Sequence, residues 1–273
     1  MSKVKARGHV SHKYGVQVPR TVQQAYNIDE KNGNTVWTKA IDKEISNVGI
    51  AFNILERGED PPMGYMKVTG HLIFDVKMAF TRKARFVLDG RKTEKPDIST
   101  YAGVVSRESI RVALTYASLN GLQVYAADIQ NAYLQAPSSQ RHYIECGIEF
   151  GKENMGKKAL PERALYGGKS AGRELRNHLR DCMKHLKFGY CLADPDVWMR
   201  VAMSDEGQEY YEYVLLWTDD CLVISHRPEI GKYFKLKEES IGPPKIYLRG
   251  KMRQVQLMVI FFSPICQECC EKC

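Results

Sequence analysis

The chain has 273 residues, a hydrophobic fraction of 44% and a formal net charge of +8 at a pI near 9.0. That length holds one large domain or two small ones with a buried core. The excess of Lys and Arg suits a polyanionic partner, nucleic acid or an anionic membrane, or else marks a merely basic soluble protein. The basic N-terminus has no apolar run behind it. The longest such run, Leu257 to Phe262, is far below the ~20 residues of a spanning helix, so neither a secretory segment nor a membrane-spanning helix is expected in these residues.

In chain order, residues 1–34 are polar and irregular and read as a loose arm. Trp37, Ala40, Ile41, Ile45, Val48, Phe52 and Leu55 recur at three- and four-residue steps and predict a helix, capped by Asn34 or Thr35 and ended by the Gly58–Gly64 stretch. Residues 71–88 predict two strands with a turn at Asp89–Gly90. The six basic and two acidic residues of 82–95 form either a solvated hairpin or a phosphate-binding one. Ser106 caps a predicted helix to Asn120, and Leu122 to Ala127 is a strand that delivers Asp128. Ser170 caps another helix over 171–187, within a stretch (157–187) of nine basic and three acidic residues. Tyr213 to Trp217 and Leu222 to Ile224 predict a tight hairpin with Asp219 and Asp220 at its tip.

Three carboxylates thus end apolar runs, where a solvated acid needs no such framing. Carboxylate oxygens are the hard donors that Mg²⁺ favours, and a pair of such ions serves phosphoryl transfer. An Asp–Asp pair alone is more often an ordinary turn. The neighbouring residues weigh against that. ADIQNAYL (Ala127 to Leu134), RALYGGKSAG (Arg163 to Gly172), WTDD (Trp217 to Asp220) and RKARFVLDG (Arg82 to Gly90) stand in order and spacing. Together they resemble the reverse transcriptase domain of a copia-type LTR retrotransposon polyprotein, over about Phe74 to Gly250.

The resemblance implies an α+β fold: a polymerase palm of antiparallel sheet with packed helices, plus fingers, over residues 35–255. It implies RNA- or DNA-templated synthesis of DNA from deoxynucleoside triphosphates on a primer, with two Mg²⁺ or Mn²⁺ ions, in an intracellular setting such as a virus-like particle or the nucleus. Asp128 and Asp219 would bind the ions, Asp220 would support them, and the Ile129 carbonyl would add a ligand. Tyr133 would sit under the sugar and exclude a 2′-hydroxyl. Lys83 and Arg85 would reach the triphosphate, Tyr166 and Gly167 the nucleotide and template base, and Lys169 the nucleic-acid backbone. Trp217 stands where the family has Tyr, Gly168 where it has Leu and Gly172 where it has Pro. Arg249 interrupts a Leu-Gly pair. Residues 256–273 match no continuation of the family, so RNase H and most of the thumb are expected to be absent. Cys266, Cys269, Cys270 and Cys273 there read as an adventitious tail or a zinc site. The rival reading is a catalytically impaired transposon relic that only binds nucleic acid.

Overall fold

A computed structural model describes residues 11–93, 99–227, 235–247, 250–255 and 259–264. In chain order the elements are β1 (His12–Lys13), β2 (Val16–Gln17), α1 (Val22–Lys31), α2 (Val36–Gly49), β3 (Phe52–Ile54), β4 (Met66–Lys67), β5 (Gly70–Val76), β6 (Arg82–Leu88), α3 (Arg107–Leu119), β7 (Gln123–Asp128) and α4 (Ala132–Gln135). They continue with β8 (His142–Glu145), β9 (Lys158–Pro161), α5 (Ala171–His185), β10 (Gly189–Tyr190), β11 (Val197–Met203), β12 (Glu209–Trp217), β13 (Asp220–Ser225), β14 (Ile246–Tyr247), β15 (Gly250–Val255) and β16 (Val259–Pro264). Two compact units result, one drawn from residues 1–100 and 133–174, the other from 101–132 and 175–273. Among the described residues no helix is long and apolar enough to cross a membrane.

In the first unit β5 and β6 form an antiparallel hairpin with Gly70 opposite Leu88. The strands of a second sheet lie in the order β3–β9–β8–β4. Phe52, Phe86 and Phe150 meet edge to face, with ring centroids 5.6 to 5.7 Å apart, and join the hairpin to that sheet. The expectation of a loose arm over 1–34 is corrected from Ser11 onward. Thr21 accepts a hydrogen bond from the Gln24 amide and starts α1, whose Ala25, Ile28 and Asp29 are buried. Asn34 Oδ1 accepts from the Val36 amide at 3.3 Å, as expected of a local cap, and the Asp29 carboxylate adds bonds from the amides of Trp37 and Thr38 at 3.1 and 2.8 Å. The α2 helix ends at Gly49, earlier than expected, because Phe52 to Ile54 pair with β9 as a strand. Phe52 and Leu55 therefore fit a helical period without belonging to the helix.

In the second unit the strands run in the order β10–β11–β12–β13–β7, each pair antiparallel. Helix α3 starts as expected, with Ser106 Oγ accepting from the Ser109 amide. Its Ile110, Ala113, Leu114 and Ala117 form one core with Leu215, Leu222 and Ile224 of the sheet. Gly121, at φ +62°, turns the chain into β7. The Leu248-Arg249 irregularity and the four terminal cysteines lie outside the described residues. Cys146 and Cys221 are buried and Cys182 and Cys191 half-buried, all as free thiols, as small hydrophobes are.

Candidate active site

The second unit holds the acidic centre. β12 and β13 close with Trp217 opposite Asp220, leaving Thr218 and Asp219 as a two-residue loop. Thr218 takes φ +54°, a strained conformation for a β-branched residue. β13 then pairs with β7 so that Asp220 lies directly opposite Asp128. Cross-strand partners project from the same face of a sheet, and these two carboxylates are hydrogen-bonded to each other. Burial, then that hydrogen bond and the Asp128 charge, push the Asp220 carboxyl up to about 7, with Asp219 adding to the rise and Lys237 opposing it.

The register adds a contact that the resemblance does not name. Asp219, placed first with Asp128 by the resemblance, lies in the loop and contributes its backbone carbonyl, which accepts from the Ile129 amide at 2.7 Å. The strand period puts Asp220, not Asp219, across from Asp128. Ile129 is itself buried, and Trp217 packs against the core of the unit.

The first unit gathers the other predicted residues. The Arg85 guanidinium carbon lies 4.3 Å from the centre of the Tyr166 ring, and the Tyr166 and Tyr133 rings are 4.6 Å apart. On α2, Glu44 accepts from the Phe86 amide. Burial raises its carboxyl, while that amide and the charges of Arg85 and Lys83 hold it down. Gly167, at φ +86°, has its required close neighbour in the protein: a Cβ there would sit 2.0 Å from the Leu88 carbonyl oxygen. The Leu88 amide in turn donates to the Tyr166 carbonyl at 2.8 Å. Lys169 donates to the Thr93 carbonyl, so it also ties the Tyr166–Lys169 loop to the end of the β5–β6 hairpin.

A family model described as reverse transcriptase (RNA-dependent DNA polymerase) matches residues 59–248. The chain belongs to this family. The chain is 28% identical over 183 residues to the retrovirus-related Pol polyprotein from transposon TNT 1-94 of Nicotiana tabacum, covering 62% of itself and 13% of that protein. It is 28% identical over 225 residues to the retrovirus-related Pol polyprotein from transposon RE1 of Arabidopsis thaliana, covering 78% of itself and 14% of the relative. It therefore spans a small part of the length of these curated relatives. The family assignment drawn from the four motifs is borne out, and with it a reverse-transcriptase-like fold of mixed helices and sheets.

Reverse transcriptases as a family use divalent cations. Among the described residues no group of three or more His, Cys, Asp or Glu side chains is arranged as a metal cage. The two paired carboxylates nevertheless fit a hard cation. They crowd negative charge onto one spot, and that charge is answered by a shared proton and by an ammonium, Lys237 Nζ, 2.5 Å from Asp128 Oδ2. Two residues of this centre went unpredicted. Lys237 and Ser240 reach Asp128 from more than a hundred residues away, and no local motif marks either of them.

Proposed function

We propose that the chain is the palm and fingers of a polymerase that copies RNA or DNA into DNA by two-metal nucleotidyl transfer. The observation that carries this reading is the Asp128–Asp220 pair on adjacent strands, beside the Asp219 loop. Mg²⁺ or Mn²⁺, held by Asp128, Asp219 and Asp220 with the Ile129 carbonyl, would supply activation of the primer 3′-hydroxyl and neutralisation of the leaving pyrophosphate. The chain's own residues do the rest. The β-sheet register holds two carboxylates on one face. Arg85, oriented by the Tyr166 ring, and Lys83 bind the triphosphate. Tyr133, packed at a tilt against the Tyr166 ring, offers the aromatic edge that excludes a ribose 2′-hydroxyl. The net charge of +8 favours template and primer.

The test is primer extension on poly(rA)–oligo(dT) with Mg²⁺ and with Mn²⁺, beside Asp219→Asn. Extension by the wild type and its loss in the variant is the expected result. Wild-type extension that survives Asp219→Asn would remove Asp219 from the site. No extension in either metal, with salt-sensitive binding of the duplex retained, would favour the non-catalytic binder.

A further inference from the structure

The free edge of β7 is covered by the segment 235–242. The Gln130 amide donates to the Lys235 carbonyl at 2.8 Å, the Lys237 amide to the Asp128 carbonyl at 3.0 Å, and Ala126 and Gly242 exchange two bonds of 2.9 and 3.2 Å. Ser240 closes the loop. Its Oγ donates to the Lys237 carbonyl at 2.7 Å and accepts from the Asp128 amide at 2.8 Å. Lys237 therefore meets Asp128 through a clasp of backbone bonds, not as a chance surface pair, and its Nζ lies 2.5 Å from Oδ2. Asp128 thus has one partner in Asp220 and another in Lys237. A cavity of about 480 Å³ is lined by Asp128 and Asp220, by Glu239 of the clasp, and by Lys245 and Tyr247 beyond it.

We infer that Lys237 is a built-in counter-cation for Asp128, which surrenders the carboxylate when a divalent cation enters, so that the 235–242 clasp sets the metal concentration the site requires. The inference rests on the reading of Asp128 as a metal ligand. A carboxylate held by an ammonium has to exchange one positive partner for another, and every divalent ion must overcome that pairing. The lysine and aspartate side chains keep 36% and 41% of their exposure, so the exchange can proceed without opening the sheet. At that exposure the pair is of modest strength, and its removal is expected to change metal affinity roughly three- to tenfold.

The test is direct Mn²⁺ binding to the full 273-residue chain, free of nucleic acid and nucleotide, with unbound Mn²⁺ read by electron paramagnetic resonance. Lys237→Met should lower the Kd roughly three- to tenfold. Lys237→Arg, which keeps the charge, should stay near the wild type, and Asp128→Asn should abolish the site. Lys237→Gln serves in place of the Met variant if circular dichroism shows that one misfolded. Binding seen only once Lys237 is neutralised supports the inference. Equal Kd values for wild type and the neutral variants, with binding still lost in Asp128→Asn, overturn it while leaving the metal site standing. Absence of Asp128-dependent binding in every variant overturns both.

Discussion

The two units solve opposite electrostatic problems. In the second unit, Asp128 and Asp220 are forced together by strand register, and their like charge is answered by a shared proton and by Lys237. In the first, the guanidinium of Arg85 rests on the face of Tyr166, and Glu44 stands near both Arg85 and Lys83. The acidic centre is crowded, and its charge is held by the Asp128–Asp220 hydrogen bond and by Lys237. The basic-aromatic cluster is stacked and pre-ordered. The contrast teaches that strand register sets the one cluster by forcing like charges together, while rings and backbone bonds set the other.

The sharpest way to break the ordered half is Gly167→Ala. The new Cβ would meet the Leu88 carbonyl at 2.0 Å on a backbone already at φ +86°. A loss of about 2–4 kcal/mol is expected from urea denaturation. Gly207→Ala shares the positive φ but has nothing within 4 Å, and it should cost only about 1 kcal/mol. Equal losses would show that the close approach to Leu88 is unimportant.

The crowded half has a pH signature. The Asp220 carboxyl moves from 3.8 up to about 7 on folding. Between those values the folded state holds a proton that the unfolded chain has released, so stability falls as pH rises through that window and levels off above it. Asp220→Asn removes this contribution. In metal-free buffer its stability relative to the wild type should grow by about 1–2 kcal/mol between about pH 4 and about pH 8, after allowance for solvent screening of a half-exposed pair. A pH-independent difference between the two proteins would dismiss the crowding.

Smaller effects refine the contrast. Tyr166→Leu removes the ring under Arg85, and a cation–π contact of roughly 0.5–1 kcal/mol should appear as a two- to fivefold rise in the KM for nucleotide, with kcat little changed. An unchanged KM would separate Arg85 from nucleotide binding. Thr218→Asn places a residue tolerant of positive φ in the hairpin loop. It should stabilise the chain by about 0.5–1 kcal/mol in thermal melts, and any loss of stability would deny strain at Thr218.

Much of this was legible in local pattern. The α3 cap at Ser106, the strands β5 and β6 and the strand that delivers Asp128 follow from capping and period, because the forces that shape them act within a few residues, whereas the turn that joins β5 to β6 falls at Lys77–Thr81 and not at Asp89–Gly90. The helical period from Trp37 to Leu55 overruns the helix because Phe52 falls on that period while its hydrogen bonds go to β9. The order that begins at Ser11 leaves little trace in the sequence because α1 is a mostly polar helix held by a single cap and by burial of Ala25 and Ile28. At the site, the identity of the three aspartates was visible, but not which of them pair. That is decided by the register of β13 on β7, a contact between residues about ninety positions apart. The clasp of Lys237 and Ser240 has the same origin. Long-range pairing leaves no periodic trace near the residues it joins.

The proposed chemistry requires that Asp128 and Asp220 form one catalytic unit. Its most direct test is the single-turnover rate of primer extension by the wild type, Asp128→Asn, Asp220→Asn and the double variant. Each single change should lower the rate roughly a thousandfold or more, with the double variant no worse than the more damaging single. Near-wild-type extension by either single variant would contradict it.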